Sequence, residues 1–112
     1  MTTNPTTHIE RIVEQVSVAT DYQLNKRILR ERILTELHLP YNNGMFKVTP
    51  DLLAFLATWP DDTLHLEDVY QNPIEVNRDE LLDLARQHYQ SVLNTWHQQH
   101  EELKKIRKER GN

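Results

Sequence analysis

The chain has 112 residues and no cysteine, and its 13 Lys plus Arg against 17 Asp plus Glu give a formal net charge of −4. Without cysteine it forms neither a disulfide framework nor a thiolate metal site. Its two glycines, Gly44 and Gly111, are too few for a glycine-rich phosphate-binding loop. The length suits a single small domain, and nucleotide-binding folds that need such a loop are excluded.

The amino-terminal segment predicts a short leader followed by a helix. Residues 1–7 are polar and lack the basic start and apolar stretch of a secretory signal, so we expect a flexible leader. Thr7 and Glu10 have the spacing of a capping box, which predicts a helix over 8–18. Apolar residues then recur at steps of three and four, as on one helix face: Ile9, Ile12, Val13 and Val16.

A second helix is predicted after a weak point in this pattern. The stretch 17–21 contains poor helix formers, so we expect a kink or restart there. Thr20 and Gln23 again have capping-box spacing, which predicts a helix over 21–38. Pro40 closes that helix because proline cannot continue the hydrogen-bond pattern.

Shorter elements follow in the middle of the chain. Asn43-Gly44 tolerates the positive φ angles of a tight turn, so residues 39–48 fit either a short hairpin or a compact loop. Thr49-Pro50 combines a hydroxyl cap with proline at the first helical position, which predicts a helix over 50–58. Alternation of apolar and polar residues on both sides of a turn predicts a β-hairpin over 63–76.

The last element is a long helix over 78–108, opened by a third capping box at Asn77 and Glu80. This length exceeds what a small core needs, so we expect its second half to project and to pair with another helix. The residues expected at that protein interface lie on its apolar stripe: Tyr89, Val92, Trp96, Leu103 and Ile106.

Together these elements predict a mainly α fold with a small β part. We expect a single domain over 8–108 with a projecting carboxy-terminal helix, and a frayed tail over 109–112. Apolar runs such as 52–57 are far shorter than the ~20 residues that cross a bilayer, so we expect no membrane contact. Because residues 1–7 lack the features of a secretory signal, we expect a cytoplasmic location.

Catalytic and metal-binding patterns are weak. His97 with His100 or Glu101 would place two metal ligands on one helix face, but no further ligands complete a site. Ser17 and Ser91 both fall within predicted helices and not on a strand-to-helix elbow. We therefore expect no enzyme activity, no bound metal and no cofactor.

Charge is distributed unevenly along the chain. Residues 51–83 hold nine acidic side chains against one base, Arg78. Helix capping and solvation explain most of these acids, with a partner-facing patch or an Mg²⁺ site as alternatives. The last helix ends in a basic run that consists of Lys104, Lys105, Arg107 and Lys108. These cations either stabilise the carboxyl end of the helix or contact phosphates.

Several stretches between residues 24 and 108 carry a family resemblance. Pro40–Pro50, Leu66–Asp68 and the segment from Asn72-Pro73-Ile74 to Trp96-His97 resemble small uncharacterised proteins of contractile-tailed bacteriophages, particularly those of cyanobacteria. The resemblance implies a phage product involved in virion structure or assembly, located in the host cytoplasm or the virion. It transfers no functional residue.

Two functional hypotheses follow. The first is a non-enzymatic protein that contacts itself or another protein through its long carboxy-terminal helix, as a virion or assembly component. The second is a small regulator of phage or host nucleic-acid machinery. It would use the acidic block 51–83 against a basic surface, or the basic run 104–110 against phosphates.

Overall fold

The computed structural model describes residues 5–111, with side chains for residues 9–109. Within these residues the fold is mainly α with a small β part, as predicted. Its elements, in chain order, are α1 (Pro5–Glu36), β1 (His38–Tyr41), β2 (Gly44–Lys47), α2 (Pro50–Thr58), β3 (Thr63–Glu67), β4 (Pro73–Asn77) and α3 (Arg78–Gly111).

The first helix is continuous, so the predicted division into helices over 8–18 and 21–38 is wrong. The Thr20 hydroxyl does not cap a new helix but donates to the Val16 carbonyl oxygen, 2.9 Å away, which keeps the side chain inside the helix. Helix α1 ends at Glu36 because the chain enters β1 at His38.

The first turn of α1 lies earlier than predicted. The described part of the helix already includes Pro5. Residues 5–7, expected in the leader, are therefore helical. The rest of that leader, residues 1–4, lies outside the described residues.

The alternatives left open for residues 39–48 resolve as a hairpin of β1 and β2. Leu39 lies opposite Phe46, and Tyr41 lies opposite Gly44. The two turn residues are Asn42 (φ 46°) and Asn43 (φ 66°), as in a type I′ turn. The predicted Asn43-Gly44 pair is thus one position too late, and Gly44 belongs to the strand.

Helix α2 has the bounds predicted from its cap. The Thr49 hydroxyl oxygen accepts a hydrogen bond from the Leu52 N–H at 3.1 Å, and Pro50 occupies the first turn. Helix α3 is capped in the same way, since the Glu80 N–H donates to Asn77 Oδ1 at 2.9 Å. The predicted hairpin at 63–76 is also present, with Thr63 opposite Asn77.

Helix α3 continues through Gly111, so residues 109–111 are helical and not a frayed tail. Asn112 lies outside the described residues.

Contacts within the chain group its residues into two units, whereas the sequence suggested one domain over 8–108. The central unit is Arg32–Thr95, and the terminal unit joins the described residues before Arg32 to those from Trp96 onward. Both α1 and α3 contribute to each unit. The core of the central unit consists of Phe46, Leu56, Leu64, Val76, Leu81 and Leu82.

Candidate interaction surface

An exposed apolar ridge runs along the part of α1 that belongs to the terminal unit. Its members recur every four residues and therefore form one row on the helix surface. The aliphatic members are 43 to 60% exposed. We call this row the α1 ridge, and it consists of Ile12, Val16, Thr20, Leu24 and Ile28.

The opposite side of α1 is the one that packs within the terminal unit. Val18 and Leu29 are buried there, and Tyr22 is half-buried. The guanidinium carbon of Arg107, on α3, lies 4.6 Å from the centre of the Tyr22 ring, a cation–π geometry. Since α3 meets α1 on this side, the α1 ridge remains open to solvent.

The first described turns of α1 are exposed on all sides. Every side chain from Ile9 to Ser17 is exposed, including Ile9 (58%) and Val13 (61%) beside the ridge. This segment belongs to the continuous helix α1, and its apolar side chains are open to solvent.

The residues predicted as the α3 interface do not form a continuous exposed stripe. Val92 is buried at 7% exposure. Tyr89, Trp96 and Leu103 are half-buried, so among the five only Ile106 is exposed, at 51%. The second half of α3 groups with the amino-terminal part of α1 from the same chain. The exposed apolar surface of the terminal unit lies mainly on α1.

The basic run on α3 is partly engaged within the chain. Lys104 forms an ion pair with Glu101 at 3.1 Å, and this hydrogen bond and charge lower the pKa of the Glu101 carboxyl. Arg107 lies on Tyr22 as described above. Lys105 and Lys108 are exposed and accessible to an anionic partner.

One acid of the block 51–83 has a structural role that the sequence did not reveal. Asp68 is 5% exposed and accepts three backbone hydrogen bonds. Its donors are the N–H groups of Tyr70 and Asn72 in its own loop and of Met45 in β2, at 2.9 to 3.0 Å. These bonds, with Asn72 the strongest, lower the pKa of Asp68 from its ordinary 3.8 although burial opposes them.

The other eight acids of the block are exposed, and Asp79 and Glu80 lie in the first turn of α3 where the helix dipole favours them. The central unit holds ten acidic and four basic residues, a net charge of −6, and the terminal unit holds seven acidic and nine basic residues, a net charge of +2. The net charge of −4 is thus the sum of two units whose charges have opposite sign.

The central unit also has an open depression of about 490 Å³ beside the hairpins. Its lining contains two carboxylates, Glu75 and Glu80, but no histidine, lysine or arginine to complete an acid–base pair. Across residues 5–111, no three His, Asp or Glu side chains cluster closely enough to hold a metal ion, and His97, His100 and Glu101 form no such group.

Over the described part of the chain, no helix is long and apolar enough to cross a membrane. Comparison with protein-family models, with curated proteins and with solved structures finds no match to this chain.

Proposed function

We propose that this chain is a non-enzymatic protein-interaction component that binds through the α1 ridge. The observation that carries the proposal is the exposure of four aliphatic side chains, with Thr20 between them, in this one row on α1. Contiguous exposed apolar surface is typical of protein–protein contact sites. The ridge is an i, i+4 series, the arrangement with which one helix packs against another.

The resemblance to small proteins of contractile-tailed phages supports placing this contact in virion structure or assembly. Virion components commonly act by contact and not by catalysis, which agrees with a surface of this kind. The predicted α3 residues have a smaller part in this proposal, because only Ile106 offers a well-exposed apolar side chain there.

The proposal is tested by placing a photo-reactive phenylalanine analogue at Val16, on the ridge, in the protein expressed in the cells that naturally produce it. We expect discrete protein adducts after illumination. The matched control carries the analogue at Glu14, which is also exposed but points away from the ridge. Equal adduct patterns from both positions, or no adduct from Val16, would contradict a binding role for the ridge.

A second candidate function is contact with nucleic acid, favoured by the exposed Lys105 and Lys108 and by the +2 charge of the terminal unit. Phosphate contacts make binding fall steeply with salt. Replacing both lysines with glutamine should then abolish binding to a duplex DNA and single-stranded RNA panel. Absence of binding by the unmodified protein at low salt would remove this candidate.

A further inference from the structure

We propose that the occupant of the α1 ridge is a second copy of this chain, packed antiparallel with Thr20 at the centre of the contact. This inference rests on the proposed binding role of the ridge and names its partner. Three features of α1 carry it: the symmetry of the ridge, the state of its central polar group, and the distribution of charge along the helix.

The ridge is symmetric about its central residue. A twofold interface uses the same patch on both subunits, so the patch must complement itself. One turn on either side of Thr20 lie Val16 and Leu24, and one turn further lie Ile12 and Ile28. In an antiparallel pair, Val16 of one copy lies opposite Leu24 of the other. At the two ends of the ridge, Ile12 of one copy lies opposite Ile28 of the other, so aliphatic side chains meet there too.

The central threonine can be buried at low cost. Its hydroxyl already donates to the Val16 carbonyl oxygen at 2.9 Å, so the hydrogen of this polar group is satisfied within the helix. A polar group that keeps its hydrogen bond avoids the penalty of burial. A contact centred on Thr20 therefore leaves no hydroxyl proton without an acceptor.

Charge favours the antiparallel over the parallel arrangement. Residues 9–19 carry two acids and one base, whereas residues 21–31 carry three bases and two acids, so the two halves have opposite net charge. An antiparallel pair places each acidic half beside a basic half, and a parallel pair places like beside like. Interaction with a second copy thus buries the apolar row and places halves of opposite net charge side by side.

The size of the surface predicts a concentration-dependent dimer. From Ile12 to Ile28 the helix rises about 24 Å, and two rows of this kind cross at roughly −50° when they interdigitate. Such a crossing uses the five ridge residues of each copy, whereas a standard stable interface has roughly 20–30 residues a side. We therefore expect monomer at low concentration and dimer at high concentration.

Because the natural chain has no cysteine, introduced thiols report the contact without background. The full chain is prepared with Thr20→Cys, Val16→Cys or Leu24→Cys and treated with a short bismaleimide. We expect T20C to cross-link to itself, and V16C to cross-link when mixed with L24C but far less alone. Glu14→Cys, exposed and off the ridge, is the matched control.

Self-linking of V16C and of L24C, each alone, would overturn the antiparallel arrangement in favour of a parallel one. Sedimentation of the natural chain as a monomer at every concentration, with no link above the E14C control, would overturn the second copy as partner. In that case, adducts of the Val16 photo-probe with a different protein would still uphold the proposed function.

The charged variant Val16→Glu should shift the monomer–dimer midpoint to at least tenfold higher concentration. Gln15→Glu adds the same charge at an exposed position off the ridge and should shift the midpoint far less, and helicity by circular dichroism checks that both variants remain folded. An unchanged midpoint in V16E would count against the ridge as the dimer contact.

Discussion

Gly44 and Asp68 join the two hairpins of the central unit at a point where there is room for no other side chain. A Cβ atom on Gly44 would lie 2.7 Å from Ile74 Cγ1 and 3.2 Å from Asp68 Oδ2. The φ angle of Gly44 is not positive, so this glycine is required for close approach and not for a left-handed backbone.

Gly44→Ala should therefore destabilise the protein by about 1–3 kcal/mol, the usual cost of forcing extra volume into a packed site. The measurement is urea unfolding followed by circular dichroism. Ile74→Ala removes the clashing atom, so the double variant should lose less stability than the sum of the two single variants. Strict additivity would show that the clash with Ile74 is not the cause.

The lowered pKa of Asp68 predicts that the folded protein loses stability in acid. Its pKa is lower in the folded chain than its ordinary value of 3.8, so its contribution is complete above that value. The contribution is lost as the pH falls through 3.8 toward the folded pKa, because the unfolded chain then binds the proton more readily.

The comparison that isolates this effect is Asp68→Asn, whose amide has only one acceptor oxygen for the three N–H donors. At neutral pH we expect the urea midpoint of the variant to be lower than that of the natural chain. Below about pH 4 the two midpoints should converge, since Asp68 is then losing its charge. A constant difference across this range would contradict the assignment.

Sequence patterns at the residue scale identified caps but not tertiary contacts. Thr49 and Asn77 were predictable because each caps its own helix three residues on. The sequence alone did not distinguish Asp68 from the other eight acids of the block. The Met45 N–H that binds it comes from a strand 23 positions away. The role of Gly44 was hidden for the same reason, because Ile74 belongs to the other hairpin.

The carboxyl end of α1 depends on two histidines. His38 Nδ1 lies 2.8 Å from the Thr35 carbonyl oxygen, and His88 Nε2, from α3, lies 2.6 Å from the Glu36 carbonyl oxygen. Helix ends leave carbonyl groups without intrahelical partners, so each imidazole N–H satisfies one of them. His88 also ties α3 to the end of α1 within the central unit.

Replacing His88 with alanine should cost about 1 kcal/mol, the typical net contribution of a hydrogen bond. Urea unfolding measures this loss. His97→Ala, at an exposed position of the same helix, is the control and should change stability by less than about 0.5 kcal/mol. Equal effects of the two changes would show that the bond to Glu36 is not what His88 contributes.

At the scale of elements, the mainly α fold with a small β part was confirmed, and the errors have local causes. Low helix propensity over 17–21 predicted a break, yet propensity is a weak effect and the Thr20 back-bond fits inside the helix. The apolar stripe on α1 was recognised, but periodicity alone does not say whether a stripe is buried or exposed. Here the packed face carries Val18 and Leu29 instead.

At the scale of the whole molecule, we expect very unequal protection of backbone amides. Under monomeric conditions, residues 9–17 should exchange with solvent quickly because every side chain there is exposed. The amides of Leu56, Val76 and Leu81 should exchange slowest, since these side chains are fully buried. Hydrogen exchange with mass spectrometry measures both, and slow exchange over 9–17 in the monomer would contradict this order.

The division into two units also has a consequence for how the chain folds. The terminal unit is built from the two ends of the described sequence, with all of residues 32–95 between them. Bringing distant segments together from an unfolded chain carries an entropic cost that grows with the length of the intervening loop. Once the central unit has formed, that loop is already compact, so we expect folding to proceed from the middle of the sequence outward.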